Sequence, residues 1–132
     1  MSESRALTPS AAFRALSEHL QQAATIRPMK IAAVSKALDN SETPGEDEDV
    51  LAPVAELELF IDSLEEEYEA AAKALDVAGG SVSILADVPV TSKCLRLEAR
   101  FAPFMSGEWL RARAELWGVI ADEAAAKEGA AS

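Results

Sequence analysis

Carboxylates are the chemistry this chain offers most freely. Between Asp39 and Ala78 there are fourteen acids and one base, Lys73, so that segment alone carries −13 in a protein of net charge −11. Two runs are dense, Glu46-Asp47-Glu48-Asp49 and Glu65-Glu66-Glu67. A calcium loop of the EF-hand type alternates its acids, turns at a central glycine and ends on a distant glutamate. Neither run has that spacing, and neither metal nor cofactor is expected. A catalytic carboxylate pair would have to be set apart from so many by its surroundings, and nothing in the sequence does that. Recognition is left. Glu58, Asp62, Glu65 or Glu66, and Glu69 recur every three or four positions, which puts them along one helix face roughly 5–6 Å apart. Such a row can meet a basic surface, including that of a nucleic-acid-binding protein whose phosphate contacts it would mimic. The plainer reading is a solvated helix face that keeps the protein soluble.

The other reactive side chains are sparse. His19 is the single histidine and Cys94 the single cysteine. One cysteine excludes an intrachain disulfide and a zinc site built from several thiolates. His19 borders an apolar stripe through Leu16 and Leu20, as a surface or partly packed imidazole would, and no glutamate precedes it by three positions as in di-iron bundles. Cys94 falls on a stripe with Val90, Leu97, Phe101 and Phe104 and reads as a small core residue. No nucleophile and base are paired by the sequence, so a non-catalytic protein is expected. Gly79-Gly80-Ser81 lacks the lysine and strand context of a phosphate loop and reads as a helix stop. Trp109 and Trp117 lie eight positions apart on adjacent faces of a helix and read as core anchors. Were either exposed, it would be the natural hot spot for a partner.

One pattern points elsewhere. Ala72, Leu75, Val77, Val82 and Leu85 follow the helix-turn-helix arrangement in type and spacing. However, Asp76 occupies the turn-glycine position, and Ser81–Asp87 contains no Lys, Arg, Asn or Gln to read a base or grip a phosphate. A DNA-binding regulator with a degenerate unit at about 72–85 is the alternative function.

The element that must position the acidic row is a long helix over about 50–78. Val50, Val54, Leu57, Ile61, Leu64, Tyr68, Ala71 and Leu75 alternate in steps of four and three, an unbroken heptad seam. The seam can be covered within the chain, or by its counterpart in a homodimer through Val54, Leu57, Ile61, Leu64 and Tyr68. Upstream, Thr8 should cap a first helix with Pro9 at its first position, buried through Phe13, Leu16, Leu20 and Ala23 and ending near Ile26 before Pro28. A second helix from Pro28 would bury Ile31, Val34 and Leu38 and stop at a left-handed Asn40. Residues 40–49 read as a flexible acidic loop. Pro53 should fall in the first turn of the long helix, placing its start between Asp49 and Ala52. Residues 81–105 are ambiguous: Leu95, Leu97, Ala99 and Phe101 alternate with Arg96, Glu98 and Arg100 as in a strand. The lack of β-branched residues favours a helix, with a hairpin to Ser81–Leu85 as the minor alternative. Ser106 should cap the last helix, stripe Leu110, Ala114, Trp117 and Ala121, and residues 128–132 should fray.

These readings converge on one domain over residues 1–132, an all-α bundle of four to six helices around the long helix. Alanine accounts for 27 residues, which favours helices but little burial, so a partner could matter. The N-terminus lacks the basic start and apolar core of a signal peptide, and no window is apolar enough to span a membrane, so a cytoplasmic protein is expected. The functional expectation is an acidic helical protein, an adaptor, inhibitor or accessory factor. Its protein-binding residues would be Glu58, Asp62, Glu65, Glu66, Glu69 and Trp109, meeting a basic partner surface rather than nucleic acid.

Overall fold

The computed structural model describes the backbone of residues 8–79, 81–84 and 88–131, and the side chains of these apart from 81–84, 88, 130 and 131. The protein is an all-α bundle of four helices with one short hairpin at an end. Helix α1 spans Pro9–Asp39. Thr8 caps it, its Oγ1 accepting the Ala11 N–H at 3.2 Å, and Pro9 stands at the first position where a missing N–H costs nothing.

The expected break at Pro28 does not occur. α1 runs through Pro28 as one helix. A helical proline removes one hydrogen bond, here to the Ala24 carbonyl, at about 3 kcal/mol. Packing before that point, and the close approach of Gly107 to Ala24 and Pro28, outweigh the cost. Before it, Leu16, Leu20, Ala23 and Ala24 are buried; just before it, Arg27 donates to the carbonyls of Pro103 and Phe104 at 3.4 and 3.2 Å. The Ala24 carbonyl faces Gly107, where a Cβ would stand 3.0 Å from the oxygen. Asn40 does follow the helix, but at φ −97° rather than in the left-handed region.

Helix α2 spans Glu48–Val77, a residue earlier than expected, so Pro53 lies in its second turn. Asp47 is the cap, accepting from Asp49 N–H at 2.9 Å, and Glu48 and Asp49 place negative charge in the first turn, where the helix dipole favours it. Gly79 at φ 110° turns the chain out of α2. Strands β1 (Ser81–Ile84) and β2 (Val88–Thr91) pair antiparallel, with Ser81 opposite Thr91 and Ile84 opposite Val88. Helix α3 follows at Ser92–Phe101, capped by Thr91 Oγ1 on the Cys94 N–H. The two readings of 81–105 thus divide the segment between them. The hairpin partner is 88–91, and the helix takes the stretch rich in strong helix formers. A single 3₁₀ turn at Ala102–Phe104, holding Pro103, closes α3. Helix α4 spans Gly107–Ala131, with Ser106 Oγ accepting from Trp109 N–H at 3.1 Å. Of the segment 128–132 for which fraying is expected, residues 128–131 are helical and Ser132 lies outside the described residues; Ser10 donates its N–H and Oγ to Glu128 at 3.0 and 2.6 Å.

The core gathers Phe13, Leu16 and Leu20 of α1, Leu64, Tyr68 and Leu75 of α2, Leu95 of α3, and Leu110, Trp117 and Ile120 of α4. Small residues let α1 and α4 approach closely: Ser17 donates to the Ala114 carbonyl at 2.5 Å, and a Cβ on Gly118 would lie 3.2 Å from Ser17 Oγ. The α2 seam is split by this arrangement. Leu64 and Tyr68 are wholly buried within the chain. Val54, Leu57 and Ile61 are half-buried. No helix among the described residues is long and apolar enough to cross a membrane.

Candidate functional site

The acids of α2 sort into two groups by what lies beside them. On the sides facing other elements they are matched. Glu56 lies 3.9 Å from Lys30, and Glu67 lies 3.9 Å from His19. Glu69 accepts both arms of the Arg96 guanidinium at 3.0 and 2.9 Å, while Arg96 also reaches Asp76 at 2.8 Å. The Arg96 hydrogen bonds hold the Glu69 carboxyl below its usual range, and hydrogen bonds from Ser92 and Arg96 do the same for Asp76. On the outer side stand Glu58, Asp62, Glu65 and Glu66, all exposed and with no cation in ion-pair reach among the described residues.

Glu69, unlike the others of the expected binding row, is paired within the chain and ties α2 to α3. Trp109 also lies apart from the row. It is half-buried, meets Phe101 edge-on at 5.7 Å between ring centroids, and carries the Arg113 guanidinium 5.6 Å from its ring. Its place is in the packing of α4 on α3.

Two arrangements escape the sequence patterns. The first is a buried carboxylate. Glu98, 5% exposed, accepts from Tyr68 Oη at 2.5 Å, from Trp117 Nε1 at 2.9 Å and from the Arg113 guanidinium. Burial, and then the Glu98 charge, push the Tyr68 phenol far above its ordinary range; the Glu98 hydrogen bond raises Arg113 as well. Both sequence readings of this stretch place Glu98 outward. The helix is in fact turned the other way: Leu95, Glu98 and Ala102 face the core, whereas Cys94, Leu97, Phe101 and Phe104 are exposed. Cys94 is thus no core residue. The three converging donors make the inversion affordable, and no local pattern announces them.

The second arrangement is a groove of about 320 Å³ between α1 and α2, lined by Ile26, Leu59 and Phe60 with Gln22, Lys30 and Glu56. Within it Ser63 Oγ and His19 Nε2 lie 3.2 Å apart. A serine and a base do meet, against the expectation of none. Glu67, at 3.9 Å from His19 Nδ1, is too far to orient the ring by a hydrogen bond. Ser63 also sits mid-helix, where the backbone N–H groups are spent on the helix and offer no oxyanion donors. Among the described residues no group of three or more His, Cys, Asp or Glu side chains is arranged to hold a metal ion.

The helix-turn-helix reading fails on backbone grounds. After α2 ends at Val77, Ser81–Ile84 is a strand where the second helix would begin, and Leu85 lies outside the described residues. No protein-family model, curated protein or solved structure matches the chain.

Proposed function

We propose that this is a non-catalytic helical protein that binds another protein through the outer row of α2, Glu58, Asp62, Glu65 and Glu66, against a basic surface. The observation that carries the reading is the sorting of charge along one helix. Where α2 meets the rest of the chain, Glu56, Glu69 and Asp76 have Lys30 or Arg96 beside them, and on the outer face four consecutive carboxylates have no cation in ion-pair reach among the described residues. Like charges three and four positions apart on a helix repel by a few tenths of a kcal/mol per pair. A basic partner relieves that repulsion and is drawn in by the same field, so the row favours fast, selective association. The exposed Cys94 thiol suits a reducing compartment, and a cytoplasmic site of action goes with this reading.

The test is capture from the native cell with two baits, the wild-type chain and a variant carrying Glu58→Gln, Asp62→Asn, Glu65→Gln and Glu66→Gln. The wild type should retain a partner that the variant loses, with retention falling as salt rises. Equal capture by both baits would remove the row from the function.

A further inference from the structure

The bundle is not the same length throughout. On α1, Leu16, Leu20, Ala24, Arg27, Ile31, Val34 and Leu38 follow one another in steps of three and four, so they lie on one face. That face is covered by α4 only as far as Gly107, which stands against Ala24 and Pro28. Leu16, Leu20 and Ala24 are buried, whereas Ile31 is 39% exposed and Leu38 44%. The α2 seam changes at the same level: Leu64 to Leu75 are buried, and Val54, Leu57 and Ile61 are half-buried. Val50 is buried again at the far end, apart from the main core. Two helices therefore continue as an arm beyond the other two. Their facing stripes prolong the interior of the bundle: Leu57 and Ile61 pack at the edge of the main core, and beyond them no described element covers Ile31, Val34, Leu38 and Val54.

We propose that this arm seats a basic amphipathic helix of the partner, which takes the place α4 would occupy if it were longer. Ile31, Val34, Leu38, Val54, Leu57 and Ile61 give a trough of about two helical turns, roughly 10–11 Å long. That suits the helix-in-groove mode, with apolar anchors at three- and four-residue spacing. Charge selects the occupant. Glu58 and Glu65 flank the seam on its side away from α1 at heptad-related positions, with Asp62 beside them, so one rim of the trough is acidic. A second copy of this chain would bring the same row and a further −11 charge; an apolar helix edged with lysine or arginine meets the rim with the opposite sign. The inference rests on the acidic row as a binding face and adds the apolar seat beneath the partner.

The probe is a labelled synthetic helix of about 18 residues with leucine at three- and four-residue spacing and lysine elsewhere. A companion peptide has glutamate in place of lysine, and binding is read by fluorescence anisotropy. The lysine peptide should bind the wild-type chain and the glutamate peptide should not. Ile31→Ser with Leu38→Ser, both at exposed positions, should weaken binding tenfold or more. Glu58→Gln with Asp62→Asn and Glu65→Gln should also weaken it and flatten its salt dependence. If the apolar pair leaves binding intact while the acidic triple removes it, the seat is wrong and the row stands. If the acidic triple binds as wild type does, the row itself fails. Absence of binding by a chain that light scattering finds monomeric overturns the seat. So does a wild-type dimer that Ile31→Ser with Leu38→Ser converts to monomer, since the occupant is then a second copy.

Discussion

Glu98 is the residue on which the interior depends. An ionised carboxylate taken out of water is costly by several kcal/mol unless paired and hydrogen-bonded, and here a phenol, an indole and a guanidinium supply the bonds. Removing the acceptor leaves the Tyr68 and Trp117 donors buried without it and the half-buried Arg113 without its carboxylate. Glu98→Ala should cost about 3–5 kcal/mol in urea unfolding, whereas Tyr68→Phe, which takes away one donor, should cost about 1–2 kcal/mol. Tyr68 is the single tyrosine, so its ionisation can be followed by ultraviolet absorbance. Its phenol is raised in the fold, first by burial and then by Glu98. The unfolded chain can lose that proton near pH 10, about the ordinary phenol value, while the folded chain cannot. Stability from this group is therefore complete below pH ~10 and declines above it. Tyrosine ionisation and loss of helical circular dichroism should coincide in alkali; ionisation near pH 10 with the helix signal unchanged would refute the buried network. None of this was legible from the residues around Glu98. Between Arg96 and Arg100 it has the look of a solvent-side charge, and only residues 68, 113 and 117, distant in sequence, reverse that.

Elements were legible where a local signal fixes them. Thr8 with Pro9, Ser106 and Gly79 end or begin helices through their own backbone chemistry, and the long seam of α2 needs only its period to be seen. Pro28 misleads because proline reports a local penalty, whereas the continuity of α1 is decided by packing against α2, α4 and the carbonyls at 103 and 104. α3 misleads because its exposed face carries Leu97 and Phe101 and its inner face carries a glutamate. The orientation of α3 on α2 is held by Arg96, which reaches Glu69 and Asp76 at once. Both carboxyls are held below their ordinary values, so their contribution is present above the usual carboxylate range and is lost as pH falls through the lowered values. The wild type should lose thermal stability on acidification below about pH 4. Arg96→Ala should be less stable at pH 7 and should show a shallower decline over the same acid range. A decline of unchanged steepness would mean that these carboxyls do not contribute to it.

At the scale of the whole molecule, charge and cover are distributed unevenly along the same helix. The inner length of α2 is buried and the outer length half-covered, while around the helix the acids beside α1 and α3 are matched and Glu58, Asp62, Glu65 and Glu66 have no cation in reach among the described residues. Both halves share one seam and one composition in the sequence. What separates them is where α4 begins, a boundary set by Ser106 and Gly107 some fifty residues away in the chain. Neutralising Glu58, Asp62, Glu65 and Glu66 should leave the melting temperature unchanged or slightly raised, because only repulsion is removed. A clear loss of stability would assign these acids to folding instead of recognition. Free in solution, the arm has few buried contacts to resist opening, so amides of 29–39 and 48–59 should exchange faster than those of 12–24 and 64–75. The most direct test is amide hydrogen exchange on the chain alone and in complex with the partner that the wild-type bait retains. Slowed exchange centred on residues 48–66, extending to 29–39, is the expected result. Protection confined to the exposed face of α3, or absent from α2 altogether, would contradict the assignment of the binding surface.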